Sequence, residues 1–219
     1  MSTWYSTCIN FYSKHRCSIE EFKQKLDSIY NGKATQPNEF GKGWLGDIAN
    51  TFYPSLGADK IDSLGTFTVS EEICELDEWF YFSIWTWTAR GIKVGLFYKL
   101  VSDFYPEIKI SYVCDGPVYL MWDEDNLFYP FIYYMDMYYP SKSGEVCQID
   151  THEFASLEEI YEWLDEHFPF ELARTESLSE LESQIQERLE ESDSDNFYCE
   201  LEEYAEMDPK GFGVFYDYI

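Results

Sequence analysis

The chain has 219 residues and 45% hydrophobic content, enough for one good-sized domain or a domain with an appendage, and too much for global disorder. Its 42 acids and 15 bases leave a net charge of −27, far beyond the magnitude of about 2–8 that keeps a small domain dispersed. Such a field repels nucleic acid, anionic membranes and acidic substrates, and it speeds encounter with basic proteins.

In chain order, residues 4–12 read as a strand rich in aromatic and β-branched types. Ser18-Ile-Glu-Glu21 forms a capping box, and Ile19, Phe22, Leu26 and Ile29 recur at helical spacing until Asn31-Gly32. A loop over 32–43 leads to a short helix, Trp44 to Tyr53, stopped by Pro54. Two strands, 64–74 and 79–88, flank an acidic turn, Glu75 to Glu78. The second is apolar on both faces, which suits a central strand. Gly91 opens a helix with Phe97, Leu100, Val101 and Phe104 on one side, closed by Tyr105-Pro106. A strand over 107–114, a turn at Asp115-Gly116-Pro117 and strands near 118–122, 128–138 and 145–150 follow.

The texture then changes, for residues 151–219 carry 21 acids and 3 bases against 21 and 12 before them. Ser156-Leu-Glu-Glu159 is a second capping box, opening a helix with Leu157, Ile160, Leu164 and Phe168. A helix over 177–191 has Leu178, Leu181, Ile185 and Leu189 on one side, and another is expected to carry Phe197, Leu201 and Tyr204. Residues 212–219 read as a terminal aromatic strand or docking peptide.

These elements imply an α+β protein, with a domain over 1–150 and an acidic helical region over 151–219 packed on it. Up to residue 115 the order is that of a split β-α-β plan. That predicts a ferredoxin-like antiparallel sheet with helices on one face, extended by hairpins over 118–150.

Motifs for chemistry are sparse. Six cysteines and three histidines form no C-x-x-C pair and no metal-type cluster, and with no leader at the N-terminus they read as reduced thiols of a cytoplasmic protein. The longest uncharged stretches, Trp79 to Ala89 and Asn126 to Met135, fall short of the roughly 20 residues that cross a bilayer. Neither a Walker loop nor G-x-G-x-x-G nor H-E-x-x-H occurs, so no enzyme activity and no cofactor are expected. Glu191, Asp193, Asp195 and Glu202 have the ligand spacing of an EF-hand loop between two predicted helices, although position one is Glu and position six is Asn. In a segment this acidic such spacing arises easily by chance, and a solvated acidic turn is the favoured reading, so no metal site is expected.

The strongest feature is the acidic ridge of Glu176, Glu180, Glu182, Glu187, Glu190, Glu191, Asp193, Asp195, Glu200, Glu202, Glu203 and Glu206, with Arg188 as its one base. If helical, it places about one carboxylate per 4 Å, near the ~3.4 Å phosphate spacing of a single DNA strand. A surface of this kind can stand in for a nucleic-acid backbone in a basic groove.

The block Phe82-Ser-Ile-Trp85-Thr-Trp87-Thr-Ala-Arg-Gly-Ile-Lys-Val94 precedes a helix ending Asp103-Phe-Tyr105-Pro106, then Glu107-Ile-Lys-Ile-Ser-Tyr112. This succession of a T-x-W strand, a helix, a Tyr-Pro stop and a further strand resembles the YubB-like ferredoxin-like family of plasmid and phage proteins. The family's W-G-T-K-W-type motif is absent. The resemblance spans at most residues 1–150 and implies a fold and a mobile-element setting, with no site residues.

The expected function is therefore non-enzymatic: a counter-defence inhibitor, of anti-CRISPR or anti-restriction type, that blocks a basic nucleic-acid-binding protein. It would bind neither nucleic acid nor membrane. An immunity protein for a basic nuclease toxin is the alternative of the same class. An RRM-like RNA-binding module or an enzyme of unrecognised type stands in another.

Overall fold

Ile9 and Phe11 alternate with Cys8, Asn10 and Tyr12 along β1 (Trp4–Ser13), so that Ile9 and Phe11 share one face. The computed structural model describes residues 4–32, 41–61, 64–89, 91–116, 119–139, 148–168, 171–191 and 198–214. The strand β1 lies antiparallel between β4 (Trp79–Ala89) and β5 (Lys109–Asp115), with Ile9 opposite both Ile84 and Tyr112. Two short strands, β2 (Thr66–Val69) and β3 (Cys74–Leu76), pair with β4. Beside β5 lies β6 (Leu120–Trp122), and the returning chain adds β10 (Ala205–Glu206), giving the order β10-β6-β5-β1-β4-β2. Leu76 stands opposite Trp79, so Asp77 and Glu78 alone make the β3–β4 turn. Asp77 adopts a left-handed φ of 52°, a conformation Asp tolerates.

The helices α1 (Arg16–Tyr30) and α3 (Val94–Phe104) bury Ile19, Phe22 and Leu26, and Phe97 and Leu100, respectively. One ring locates both: Phe11 meets Phe22 at 5.0 Å and Phe97 at 5.8 Å, so the two helices cover the same sheet face. The short α2 (Leu45–Phe52) adds Leu45, Ile48 and Ala49 to this core. The start of α1 departs from the Ser18 capping box. His15 is the N-cap, and the Ser18 hydroxyl hydrogen-bonds Glu107 instead.

On the opposite face a polar rung fixes the register. Asn10 donates to Ser111 Oγ at 3.2 Å and accepts from Ser83 Oγ at 2.6 Å, tying β4, β1 and β5 together. Near the C-terminus, Phe212 packs its ring 5.8 Å from Tyr112. A side chain at position 95 would stand 2.7 Å from the Phe212 carbonyl, so Gly95 lets this segment lie against α3. Residues 212–214 are not a strand, which removes the strand alternative for them and leaves that of a docking peptide, and 215–219 lie outside the described residues.

The chain divides into two compact units, residues 1–128 with 206–219, and residues 129–205. The second is built on β8 (Gln148–Phe154), β7 (Tyr133–Tyr139) and β9 (Tyr198–Glu203), in that spatial order. Both neighbours of β7 are antiparallel to it, with Met135 opposite Leu201 and Met137 opposite Cys199. Two helices, α4 (Leu157–His167) and α5 (Leu178–Glu191), bury Ile160 and Leu164, and Leu181, Ile185 and Leu189, in one cluster with those four residues.

Two expectations change here. Of the strands expected as a hairpin extension of the first sheet, β6 does extend it beside β5, whereas β7 and β8 form a separate sheet that β9, arriving from far along the chain, completes. The stretch expected as a third acidic helix is β9, whose Cys199 and Leu201 are buried while Tyr198 is exposed and Glu200 and Glu202 are half-buried. That is period-two burial, hidden in the sequence by the strand's three glutamates. The Ser156 box holds as expected, with Ser156 Oγ accepting from Glu159 N–H and the Glu159 carboxylate accepting from Ala155 N–H.

Phe97 has no exposed surface and touches Phe11. Phe97→Ala should lower unfolding free energy by about 3–5 kcal/mol, measured by urea denaturation of the intact chain. A loss under about 1 kcal/mol would remove Phe97 from the centre of this core.

Candidate acidic interaction surface

The apolar stripe of α5 turns its acids outward: Glu180, Glu187, Glu190 and Glu191 are exposed, as is Glu176 just before the helix. Glu182 is half-buried. On β9, Glu200 and Glu202 are half-buried and Glu203 is exposed. Asp193 and Asp195 lie outside the described residues. Glu206 is exposed in β10, which belongs to the first unit's sheet.

Of the twelve acids, Glu182, Glu200 and Glu202 lie near enough for their charges to act on one another. Burial, then the charges of Glu202 and Glu200, raise the Glu182 carboxyl above its ordinary range. Burial and Glu200 do the same to Glu202. The hydroxyls of Tyr138 and Tyr198 donate to Glu200 at 2.8 and 3.2 Å, which satisfies it without neutralising it. Burial first, and then Glu182, Asp136 and Glu200, push the neighbouring Cys199 thiol up to about 12, so it is an inert core group. The fold therefore holds like charges together at the α5–β9 side. Partial relief is local: Arg188 pairs with Glu191 at 2.7 Å, and Thr175 Oγ donates to Glu180 at 2.8 Å.

Sequence reasoning missed Tyr138, Tyr198 and Asp136 as members of this surface. Asp136 stands opposite Glu200, and Tyr138 opposite Tyr198. The signal was the Tyr-Met-Asp-Met-Tyr alternation of 134–138, which buries both methionines and sends the polar set to the other side.

The first unit treats its acids differently. Hydrogen bonds from Lys99 and Tyr53 hold Asp103 below the usual carboxylate range. Asp125, despite partial burial, is held low by Lys109 and Tyr12. Ser18 does this for Glu107.

The EF-hand reading loses its second helix, since Glu202 lies in β9, and among the described residues no three His, Cys, Asp or Glu side chains are placed to hold a metal. His15 caps α1, and both His15 and Cys17 are exposed. No helix among the described residues is long and apolar enough to cross a membrane.

A second candidate surface lies on the helix-free face of the first sheet. Trp4, Trp85 and Trp87 are 60%, 38% and 43% exposed, and Trp85 and Trp87 stand opposite Cys8 and Ser6 on β1. The other end of this face is covered by Phe128, whose ring meets Tyr12 and Tyr81.

No family model, curated protein or solved structure matches the chain.

The two sets of carboxylates give the units opposite pH responses. A carboxyl whose folded pKa is raised, as for Glu153, Glu182 and Glu202, adds stability when protonated and loses that contribution as pH rises through the folded pKa. A carboxyl held low, as for Asp103, Asp125 and Glu107, contributes above its ordinary pKa and loses that contribution as pH falls through the folded value. Between neutral pH and about pH 5 the second unit should gain protection, while the first weakens only below about pH 4. Segment-resolved hydrogen exchange, corrected for intrinsic rates, measures both. Glu182→Gln should reduce the second unit's gain, and an unchanged gain would show that the crowding is not felt.

Proposed function

We propose that this chain is a non-enzymatic acidic interaction protein that blocks a basic nucleic-acid-binding protein, as a phage- or plasmid-borne counter-defence inhibitor would. The observation that carries the reading is the held repulsion among Glu182, Glu200 and Glu202. A fold that keeps these carboxylates crowded, and among the described residues pairs no cation with them, gains when a basic partner supplies one. Along α5, five glutamates occupy 14 residues, about 21 Å of helix at ~1.5 Å per residue, or about one charge per 4 Å. Single-stranded DNA presents a phosphate every ~3.4 Å. The same surface would serve an immunity protein against a basic nuclease, since both partners present cationic grooves.

We read the first unit as ferredoxin-like. Its β5-β1-β4-β2 core order, antiparallel pairings and α1 and α3 on one face are what a split β-α-β plan produces. This accords with the YubB-like resemblance and its mobile-element setting.

One observation favours a reading of another class. Trp4, Trp85 and Trp87 lie on the two central strands of an open sheet face, where RRM-type modules stack bases. Net charge opposes it, because a single strand would have to be confined beside a −27 chain. Fluorescence anisotropy with labelled oligonucleotides separates the two. No measurable affinity is expected at physiological salt, and micromolar RNA binding would favour the stacking role.

The docking reading is tested by charge reversal. Glu182, Glu187 and Glu190 lie off the Leu181, Ile185 and Leu189 stripe of α5, and Glu202 points to the face of β9 opposite the buried Leu201, so reversing all four to Lys should preserve the fold. At about 0.2–1 kcal/mol per exposed pair, four reversals should weaken capture of the partner from the native host about tenfold or more. They should also flatten its salt dependence, and duplex DNA should compete with the parent protein for the same partner. Equal capture by parent and variant would reduce the ridge to a solvated surface.

A further inference from the structure

In the second unit's sheet β9 pairs with β7 on one side and, among the described residues, with no strand on the other. A groove of about 440 Å³ lies between the start of that strand and α5, lined by Glu182, Ser183, Glu187 and Glu190 from the helix and by Tyr198 and Cys199, the first two residues of the strand. No β7 residue lines it, so it opens on the unpaired side of β9. Six residues of β9 span roughly 20 Å at ~3.3 Å each, and α5 spans about 21 Å, so wall and edge match in length.

An unpaired edge presents backbone N–H and C=O groups that another strand can take up, and a groove between a strand edge and a helix is where peptides are captured by strand addition. The identity of the strand follows from charge. A second copy of this chain would set Glu200, Glu202 and Glu203 against themselves. An acidic or purely apolar segment would leave the carboxylates unrelieved. In an added strand, successive side chains point to opposite faces. One set would meet the α5 wall of Glu182, Glu187 and Glu190, and the other the side on which Glu200 and Glu202 stand. Both sides select cations.

We propose that β9 and α5 form a docking groove for an extended, lysine- or arginine-rich segment of about six residues, added antiparallel or parallel to β9 as an extra strand. This rests on the acidic-docking reading and narrows it. The partner would contribute a flexible basic arm or loop, and main-chain hydrogen bonds would supply the short-range specificity that charge alone lacks.

The test uses the full chain and two synthetic hexalysine peptides, one with ordinary amides and one N-methylated at every internal amide. Charge is identical, but the second cannot donate to a strand edge. Calorimetry at low salt should show the ordinary peptide binding at least tenfold more tightly, with β9 amides gaining exchange protection only in its presence. The double variant Glu182→Gln with Glu202→Gln should weaken the ordinary peptide. Equal affinity of the two peptides, or no binding of the ordinary one, would overturn strand addition. Equal affinity would leave the charge-reversal result above to decide the broader reading by itself.

Discussion

Met135 opposite Leu201 and Met137 opposite Cys199 form a short apolar row that Leu181, Ile185 and Leu189 of α5 cover from above. Everything acidic about the second unit depends on that row. Residues 129–205 carry 21 acids and 3 bases, and repulsion on that scale opposes compaction. Burial of a few large side chains at roughly 1.5–3 kcal/mol each is what opposes it. Because the row is narrow, the carboxylates cannot spread far from it. Glu182 on one side and Glu200 and Glu202 on the other are brought together by the same packing that removes Leu181 and Leu201 from water.

The first unit solves a different problem with similar parts. Its acids find partners: Asp125 takes Lys109 and Tyr12, and Asp103 takes Lys99 and Tyr53. Its core is aromatic, centred on Phe11 among Phe22, Phe82 and Phe97. The result is a division of labour by electrostatics. In one unit Asp103, Asp125 and Glu107 are compensated by neighbouring donors, while in the other Glu182, Glu200 and Glu202 are crowded together.

Helices with a long apolar stripe were legible in the sequence, and α4 could be placed to the residue because Ser156 Oγ accepts from Glu159 N–H while the Glu159 carboxylate accepts from Ala155 N–H, just before the first turn. The same four-residue pattern at Ser18 misled, since Glu107 is nearby in space and competes for the Ser18 hydroxyl. Local pattern cannot know of a partner some ninety residues away. Sheet membership was illegible for the same reason: β7 and β8 needed β9 to close their sheet, and β9 reads as helix when its glutamates are counted and as strand when Cys199 and Leu201 are. The acids of the site were therefore visible as composition, but which of them converge was not. Convergence required β9 to be extended, so that Glu200 and Glu202 share one side and lie within reach of Glu182.

That conformational detail changes what the charge can accomplish. A solvated acidic helix pair would steer a basic partner by long-range attraction that fades over about 8 Å at physiological salt. Steering of this kind sets the rate of encounter far more than the lifetime of the complex. An extended acidic edge adds directional groups at the place where the potential is deepest. Carboxylates that repel one another in the free protein and backbone groups exposed along the same strand would then be satisfied by one event. A partner strand bearing the right charge but the wrong backbone relieves the first and leaves the second, and so gains attraction without residence.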